Sequence, residues 1–306
     1  MERNNTPSNT IKNNINDTAL IFEGGGMRAS YTAGFLNTLL ENQLHFDYVA
    51  GISAGSSHCV NYLSRDPERA RRSFVEIALD PKFGGWKSFI KGEGFFRSRY
   101  LYEETSLPGG TLPLDFDTFM ANPAQLRIGL FERRLGKVFY YRKEDITAME
   151  DLMKIVRGSS SLPIFMPPTN YDGRSFVDGG LGGGIALDIA KQDGYQKFFV
   201  VLTREKGYRK SPFKFKHSIK AYYRNYPKVA RAMLNRHVIY NKTLDELEAL
   251  ERQGKAFLVY PETMPVSNRE VNFDKLYDSY QKGYAQGQRD LPKWLRFLGM
   301  AKNPAS

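Results

Sequence analysis

FDYVAGISAGSSHCVNYLSRD, Phe46 to Asp66, changes its hydrophobic period in the middle. Phe46 to Ile52 is a short apolar run with strand character, whereas Ala54 to Asp66 spaces its apolar residues as a helix does. The junction is Gly51-Ile52-Ser53-Ala54-Gly55, a G-x-S-x-G motif. Small residues on both sides let the chain turn sharply enough to stand the serine hydroxyl at the helix N-terminus. The plainer reading is a helix N-cap serine between turn glycines. Five residues alone do not choose between the two.

The same strand-then-helix pattern precedes it. TALIFEGGG, Thr18 to Gly26, is an apolar strand running into a glycine turn, and Met27 to Gln43 has helical spacing. Two such units in succession argue for an α/β fold with a parallel sheet. Downstream, Pro67 opens another helix, expected over 67–80. Residues 82–115 are rich in Gly and aromatics without clear period and read as irregular excursions with short helices. QLRIGLFERRLGKVFYYR (125–142) reads as two strands joined at Leu135-Gly136, followed by a helix over 147–159 and a loop over 160–184. KFFVVLTR (197–204) is apolar enough for a central strand. Thr243 with Glu246 three residues on suggests a helix N-terminus, with Gly254 as its stop. KAFLVYP (255–261) is one more strand, and two amphipathic helices are expected to finish the chain. A single domain over 18–300 is the simplest organisation, preceded by a polar, Asn-rich lead-in over 1–17 expected to be disordered. The C-terminal third, from about 204, reads as a basic, mainly helical cover.

Composition narrows the setting. No apolar run among the 306 residues reaches the ~18 needed to span a bilayer, and the first seventeen lack the apolar core of a secretory signal. Cys59 is the only cysteine, so no intrachain disulfide can form, which fits a reducing compartment such as the cytoplasm. The net charge of +11 favours anionic partners. Much of it is concentrated: Arg204 to Arg236 holds eleven Lys/Arg against Glu205, interleaved with Tyr208, Phe213, Phe215, Tyr222, Tyr223 and Tyr226. That pattern suits peripheral contact with an anionic membrane surface. Nucleic acid is not expected, because no DNA- or RNA-binding motif accompanies the charge.

Gly24-Gly25-Gly26-Met27-Arg28 frees backbone amides at a helix N-terminus to face an anion. The anion is either a nucleotide pyrophosphate or the oxyanion of a tetrahedral intermediate. A nucleotide site expects an acid at the end of the next strand, and that strand ends in Ala-Gly-Ile-Ser-Ala-Gly instead. The oxyanion reading is the better one, although any one of these glycines can serve a tight turn only.

A serine nucleophile needs a base. His58, five residues on in a helix, lies about 7.5 Å further along the axis and roughly 140° around it, so its ring is carried away. His45 falls before the second strand, at the far end of the sheet from Ser53. His217 and His237 lie in the basic segment without a turn to fix a catalytic loop. Nor does the elbow come late enough in the chain for the α/β-hydrolase layout. An aspartate acting directly is the economical alternative, and Asp178-Gly179-Gly180 follows the strand-like Arg174 to Val177.

Taken in order, Gly24–Gly26 with Arg28, the Gly51–Gly55 motif and Asp178-Gly179-Gly180 resemble the patatin-like phospholipase family, in its bacterial, cytosolic type. Ser159 to Pro168, SSSLPIFMPP, resembles the family's loop before its aspartate. The likeness runs from about Thr18 to about Arg204. It implies a three-layer α/β/α fold with a mostly parallel sheet, and acyl-ester hydrolysis of lipids. It also implies a Ser53–Asp178 dyad, an oxyanion hole from Gly24, Gly25 and Gly26 with Arg28 close by, and no cofactor or metal. Gly51, Gly55, Gly179 and Gly180 are expected to support the elbow and the dyad. Two residues depart from the pattern: Glu23 replaces the more usual aspartate, and Ala29 a further glycine. A non-catalytic lipid- or membrane-binding protein on the same fold is the alternative.

Overall fold

The computed structural model describes residues 11–301 of the chain. A single eight-stranded sheet forms its centre. β1 (Thr18–Phe22) leads through a glycine turn into α1 (Ala29–Glu41), and β2 (Tyr48–Ile52) through Ser53 into α2 (Ala54–Leu63). Every residue of both strands is buried, because helices cover both faces; hence their unbroken apolar character.

The excursion that follows contains α3 (Pro67–Arg72), α4 (Trp86–Ile90) and α5 (Phe116–Ala121). β3 (Gln125–Glu132) and β4 (Lys137–Tyr141) pair antiparallel, as their Leu-Gly connection suggested. α6 (Met149–Ser160) brings the chain to β5 (Thr169–Tyr171) and β6 (Arg174–Asp178), short antiparallel strands inside the segment read as a loop, of which β6 is the stretch read as strand-like and β5 was not anticipated. α7 (Leu187–Gln192), β7 (Lys197–Val201), α8 (Lys216–Tyr222), α9 (Pro227–Arg252), β8 (Ala256–Val259) and α10 (Phe273–Phe297) complete it.

Hydrogen-bonded neighbours run β5–β6–β3–β2–β1–β7–β8, with β4 also on β3. The β2–β3, β1–β2, β1–β7 and β7–β8 pairs are parallel, so the sheet is mostly parallel. Alternate strand residues face opposite layers. Leu20, Phe22, Val49 and Phe199 pack with side chains of α1, α2, α6 and α10, whereas Ile21, Ala50 and Val200 pack with Leu187 of α7 and Leu244 and Leu247 of α9. This is an α/β/α sandwich.

Register places the site. Leu130 of β3 pairs with Phe139 of β4 and with Asp178 of β6, while Gly129 pairs with Tyr140 of β4 and with Ile52 of β2. β4 therefore occupies one side of β3, and β2 and β6 share the other, meeting end to end. The last residues of these two strands face consecutive positions on β3. That brings Ser53 beside Asp178 across 125 residues of sequence.

Three local expectations are corrected. Thr243 does not start a helix: α9 begins at Pro227, whose ring suits the first helical position, and the Thr243 hydroxyl donates within the helix to the Ile239 carbonyl at 3.1 Å. Glu246 pairs with Lys191 instead of closing a cap. The two closing helices are one, with Pro292 inside it. The helix opened by Pro67 ends at Arg72, well short of residue 80. Of the lead-in, residues 1–10 lie outside the described residues; in the remainder Ile15 alone is buried, 3% exposed and bridged to Phe46, while Lys12, Asn14, Asn16 and Asp17 are exposed.

Candidate active site

Ser53 sits between β2 and α2 with φ 56° and ψ −128°, a backbone conformation that costs a non-glycine residue about 1–3 kcal/mol. The elbow is held from several sides. The Ser53 amide donates to the Ser159 hydroxyl at 2.8 Å, and that hydroxyl donates to the Gly129 carbonyl at 2.7 Å. The Ser53 carbonyl accepts from the Ser56 amide at 2.8 Å and the Ser56 hydroxyl at 2.6 Å. Gly55 is required by proximity, since a Cβ there would collide with the Phe22 carbonyl of β1. Gly51 lies under the same turn, against Gly55 and the buried Cys59.

The Ser53 hydroxyl donates to Asp178 Oδ2 at 2.7 Å, and Asp178 Oδ1 accepts the Gly180 amide at 2.6 Å. Both side chains are shielded, Ser53 at 7% exposed and Asp178 at 2%. Burial raises the Asp178 pKa above that of a free aspartate; the charge of Arg236, the Ser53 hydroxyl and the Gly180 amide pull it back only in part. Arg236 also donates from Nε to the Gly180 carbonyl at 2.6 Å, bracing the turn that carries the aspartate. Gly179 fits tightly beneath the Gly129 carbonyl.

The glycine loop divides its amides. The Gly24 amide donates to the Gly184 carbonyl at 3.1 Å, so it is not free to face an oxyanion, against expectation. Among the described residues the Gly25 and Gly26 amides have no backbone acceptor. Gly26 has φ 57°, and a Cβ there would collide with the Asn268 carbonyl. Glu23 anchors the loop from below: its carboxylate accepts the Thr203 amide at 2.6 Å and the Tyr240 hydroxyl at 2.7 Å. The longer side chain at this position thus ties β1 to the end of β7 and to α9.

His58 is fully buried on α2, its Nε2 2.8 Å from the Thr32 hydroxyl and its ring against Phe22 and Phe74. Burial depresses its pKa to about 3, so it is a neutral core residue. His45 lies beside Asn14 and Arg65, away from the site. His237 was set aside in the sequence, yet α9 brings it to the wall of the pocket that contains Ser53. No sequence pattern marked it, nor Arg204, Lys210 and Arg236 as residues of one wall.

Two cavities meet at Ser53. One is apolar, with walls including Met27, Phe74, Ile77, Phe96, Leu112 and Met166. The other is polar and basic, with Arg28, Arg204, Lys210 and Arg236 around Ser53 and Asp178. Gly26 and Leu162 border both. No helix among the described residues is long and apolar enough to cross a membrane.

Residues 20–191 match the family model described as patatin-like phospholipase, and residues 226–299 match a domain of unknown function, DUF6363. An uncharacterized protein of Escherichia coli (strain K12), YjjU, is 26% identical over 196 residues, covering 60% of this chain and 51% of its own. The chain thus spans about half the length of that curated relative. The crystal structure of VipD from Legionella pneumophila superposes with a TM-score of 0.49 at 12% identity, covering 92% of this chain and 67% of that one.

Proposed function

The chain belongs to the patatin-like phospholipase family, and on that premise we propose that it hydrolyses acyl esters of lipids, with Ser53 as nucleophile and Asp178 as base. The observation that carries this reading is the 2.7 Å hydrogen bond from the Ser53 hydroxyl to Asp178, at the junction of an apolar and a basic cavity.

Asp178 Oδ2 takes the hydroxyl proton as Ser53 Oγ adds to the acyl carbonyl carbon. The carbonyl oxygen becomes an oxyanion, which the Gly25 and Gly26 amides are free to receive. Collapse expels the alcohol, which leaves with the proton from Asp178, and an acyl-enzyme remains. Water then gives a proton to Asp178 and adds to the ester, releasing the fatty acid and restoring Ser53. The apolar cavity suits the acyl chain, because most of its lining is apolar side chains that gain from displacing water, with Arg69, Ser57, Ser73 and Ser106 among the polar remainder.

The basic segment supports access from a bilayer. Phe215 and Tyr222 are 68% and 65% exposed on or beside α8, among Lys214, Lys216 and Lys220. Such a surface binds anionic lipid peripherally, on the inner face of the membrane in a cytoplasmic setting. Its test is co-sedimentation with anionic vesicles, which must weaken as salt rises.

The activity is tested with a panel of phospholipid, lysophospholipid and neutral acyl esters, identifying released fatty acids. Wild type should release fatty acid, and Ser53→Ala and Asp178→Asn should lose several orders of magnitude of turnover. Lipid binding without release would return the non-catalytic alternative.

A further inference from the structure

We propose that Arg28, Arg204, Lys210 and Arg236 form a subsite for the phosphate of a lipid headgroup, making an acylglycerol with a terminal phosphate monoester the preferred substrate. The inference rests on the hydrolase reading and names the substrate class of the same site. Three of the four residues lie beyond the segment matched by the family model, so the subsite belongs to the part of the chain that follows it.

The four cations line one cavity together with Ser53. None is in ion-pair contact with a carboxylate among the described residues, whereas neighbouring Arg209 is paired with both Asp245 and Glu248. Arg28 Nε is buried without a hydrogen-bond partner. The Lys210 ammonium lies 3.9 Å from the centre of the Tyr240 ring, and the Arg204 guanidinium 4.3 Å from that of Tyr208. These rings support the two cations without neutralising them.

The carboxylates of the cavity are already engaged. Glu23 holds Thr203 and Tyr240, and Asp178 holds Ser53 and Gly180. With Lys210 protonated, four cations against these two acids leave an excess of two positive charges, and a bound phosphate monoester of about −1.5 to −2 at neutral pH would both balance it and hold the proton on Lys210. The excess is felt within the cluster. Arg28 is pushed down to about 10 by burial and then by Arg204, and Lys210 to about 7 by burial and then by Arg236. An anion between them would relieve that repulsion, and guanidinium forks match phosphate oxygens in geometry.

Position fits the chemistry. With the acyl chain in the apolar cavity and the ester carbon at Ser53, the alcohol portion of the ester faces the basic cavity. The glycerol phosphate would lie there.

The test compares a monoacylglycerol phosphate with the monoacylglycerol of the same acyl chain, both below their aggregation limits. Wild type should favour the phosphate by at least about tenfold in kcat/KM, and Arg204→Gln and Lys210→Gln should each lower that preference about tenfold, mainly through KM. Lys210→Arg, which retains the charge, should keep most of it. In parallel, calorimetric titration with sn-glycerol 3-phosphate should show binding to wild type and none to the Arg204→Gln/Lys210→Gln double variant, with circular dichroism confirming that the variants fold. Equal kcat/KM for the two lipids, or a preference that survives both glutamine variants, overturns the proposal. Binding of inorganic phosphate without any lipid preference overturns the headgroup assignment and leaves a free-anion site. If neither lipid is cleaved, the hydrolase reading fails, and the glycerol phosphate titration still decides the subsite.

Discussion

Ser159→Ala removes one oxygen and breaks two buried hydrogen bonds. The Ser159 hydroxyl accepts the Ser53 amide at 2.8 Å and donates to the Gly129 carbonyl at 2.7 Å, and the residue is wholly buried. Each of the two orphaned polar groups costs about 1–3 kcal/mol, so the loss should come to roughly 2–6 kcal/mol. The same bond restrains the elbow at φ 56°, a conformation that itself costs about 1–3 kcal/mol and relaxes if it is freed. Misplacing the Ser53 hydroxyl from Asp178 by a fraction of a bond length should cost at least about tenfold in kcat, equivalent to ~1.4 kcal/mol of barrier. Urea unfolding measures the first effect as a lower midpoint at unchanged slope. Turnover of a soluble ester at 10 °C, well below any unfolding, measures the second, with KM changing little because no binding contact is removed. A Ser159→Ala protein within 0.5 kcal/mol of wild type and with full kcat would refute the role given to this serine.

Burial raises the Asp178 pKa, so the base loses its charge as pH falls through a value above the 3.8 of a free aspartate; the acid limb of kcat/KM should lie above that value and move higher in Arg236→Gln. Because the fold favours the neutral form of Asp178, its stabilising share is present at low pH and lost as pH rises through the folded pKa. Asp178→Asn should therefore melt at or above wild type at neutral pH while inactive, as differential scanning calorimetry would show. His58→Gln should keep turnover within about threefold, under ~0.7 kcal/mol of barrier, because the ring faces Thr32 and not Ser53. Its pKa falls from 6.5 in the unfolded chain to about 3 in the fold, so wild type loses stability as pH drops through that window, and the variant should lose less.

The site was legible in the sequence where chemistry depends on local backbone. The elbow at Ser53, the turn at Asp178 and the glycine loop each require residue types that show in a short window. Its division of labour was not legible. That the Gly24 amide is taken by Gly184 depends on a contact 160 residues away. Ser159 belonged to a recognised stretch, yet its bond to the elbow follows from α6 packing on β3, which no local period encodes. Strand detection failed for β5, whose three residues are too few to show alternation, whereas the five-residue β6 was legible as the strand-like Arg174 to Val177. Thr243 misled because a capping pattern in the middle of a long helix is chemically the same as one at its start; only the upstream Pro227 distinguishes them. Arg28, Arg204, Lys210 and Arg236 are a cluster only in three dimensions.

The central claim, that Ser53 is a nucleophile driven directly by Asp178, is tested most directly by reaction with a fluorophosphonate followed by peptide mass spectrometry. The account predicts one label per chain, located on Ser53, absent in Ser53→Ala and slowed by about 10³-fold or more in Asp178→Asn. Label on another residue, or an undiminished rate in Asp178→Asn, would contradict it.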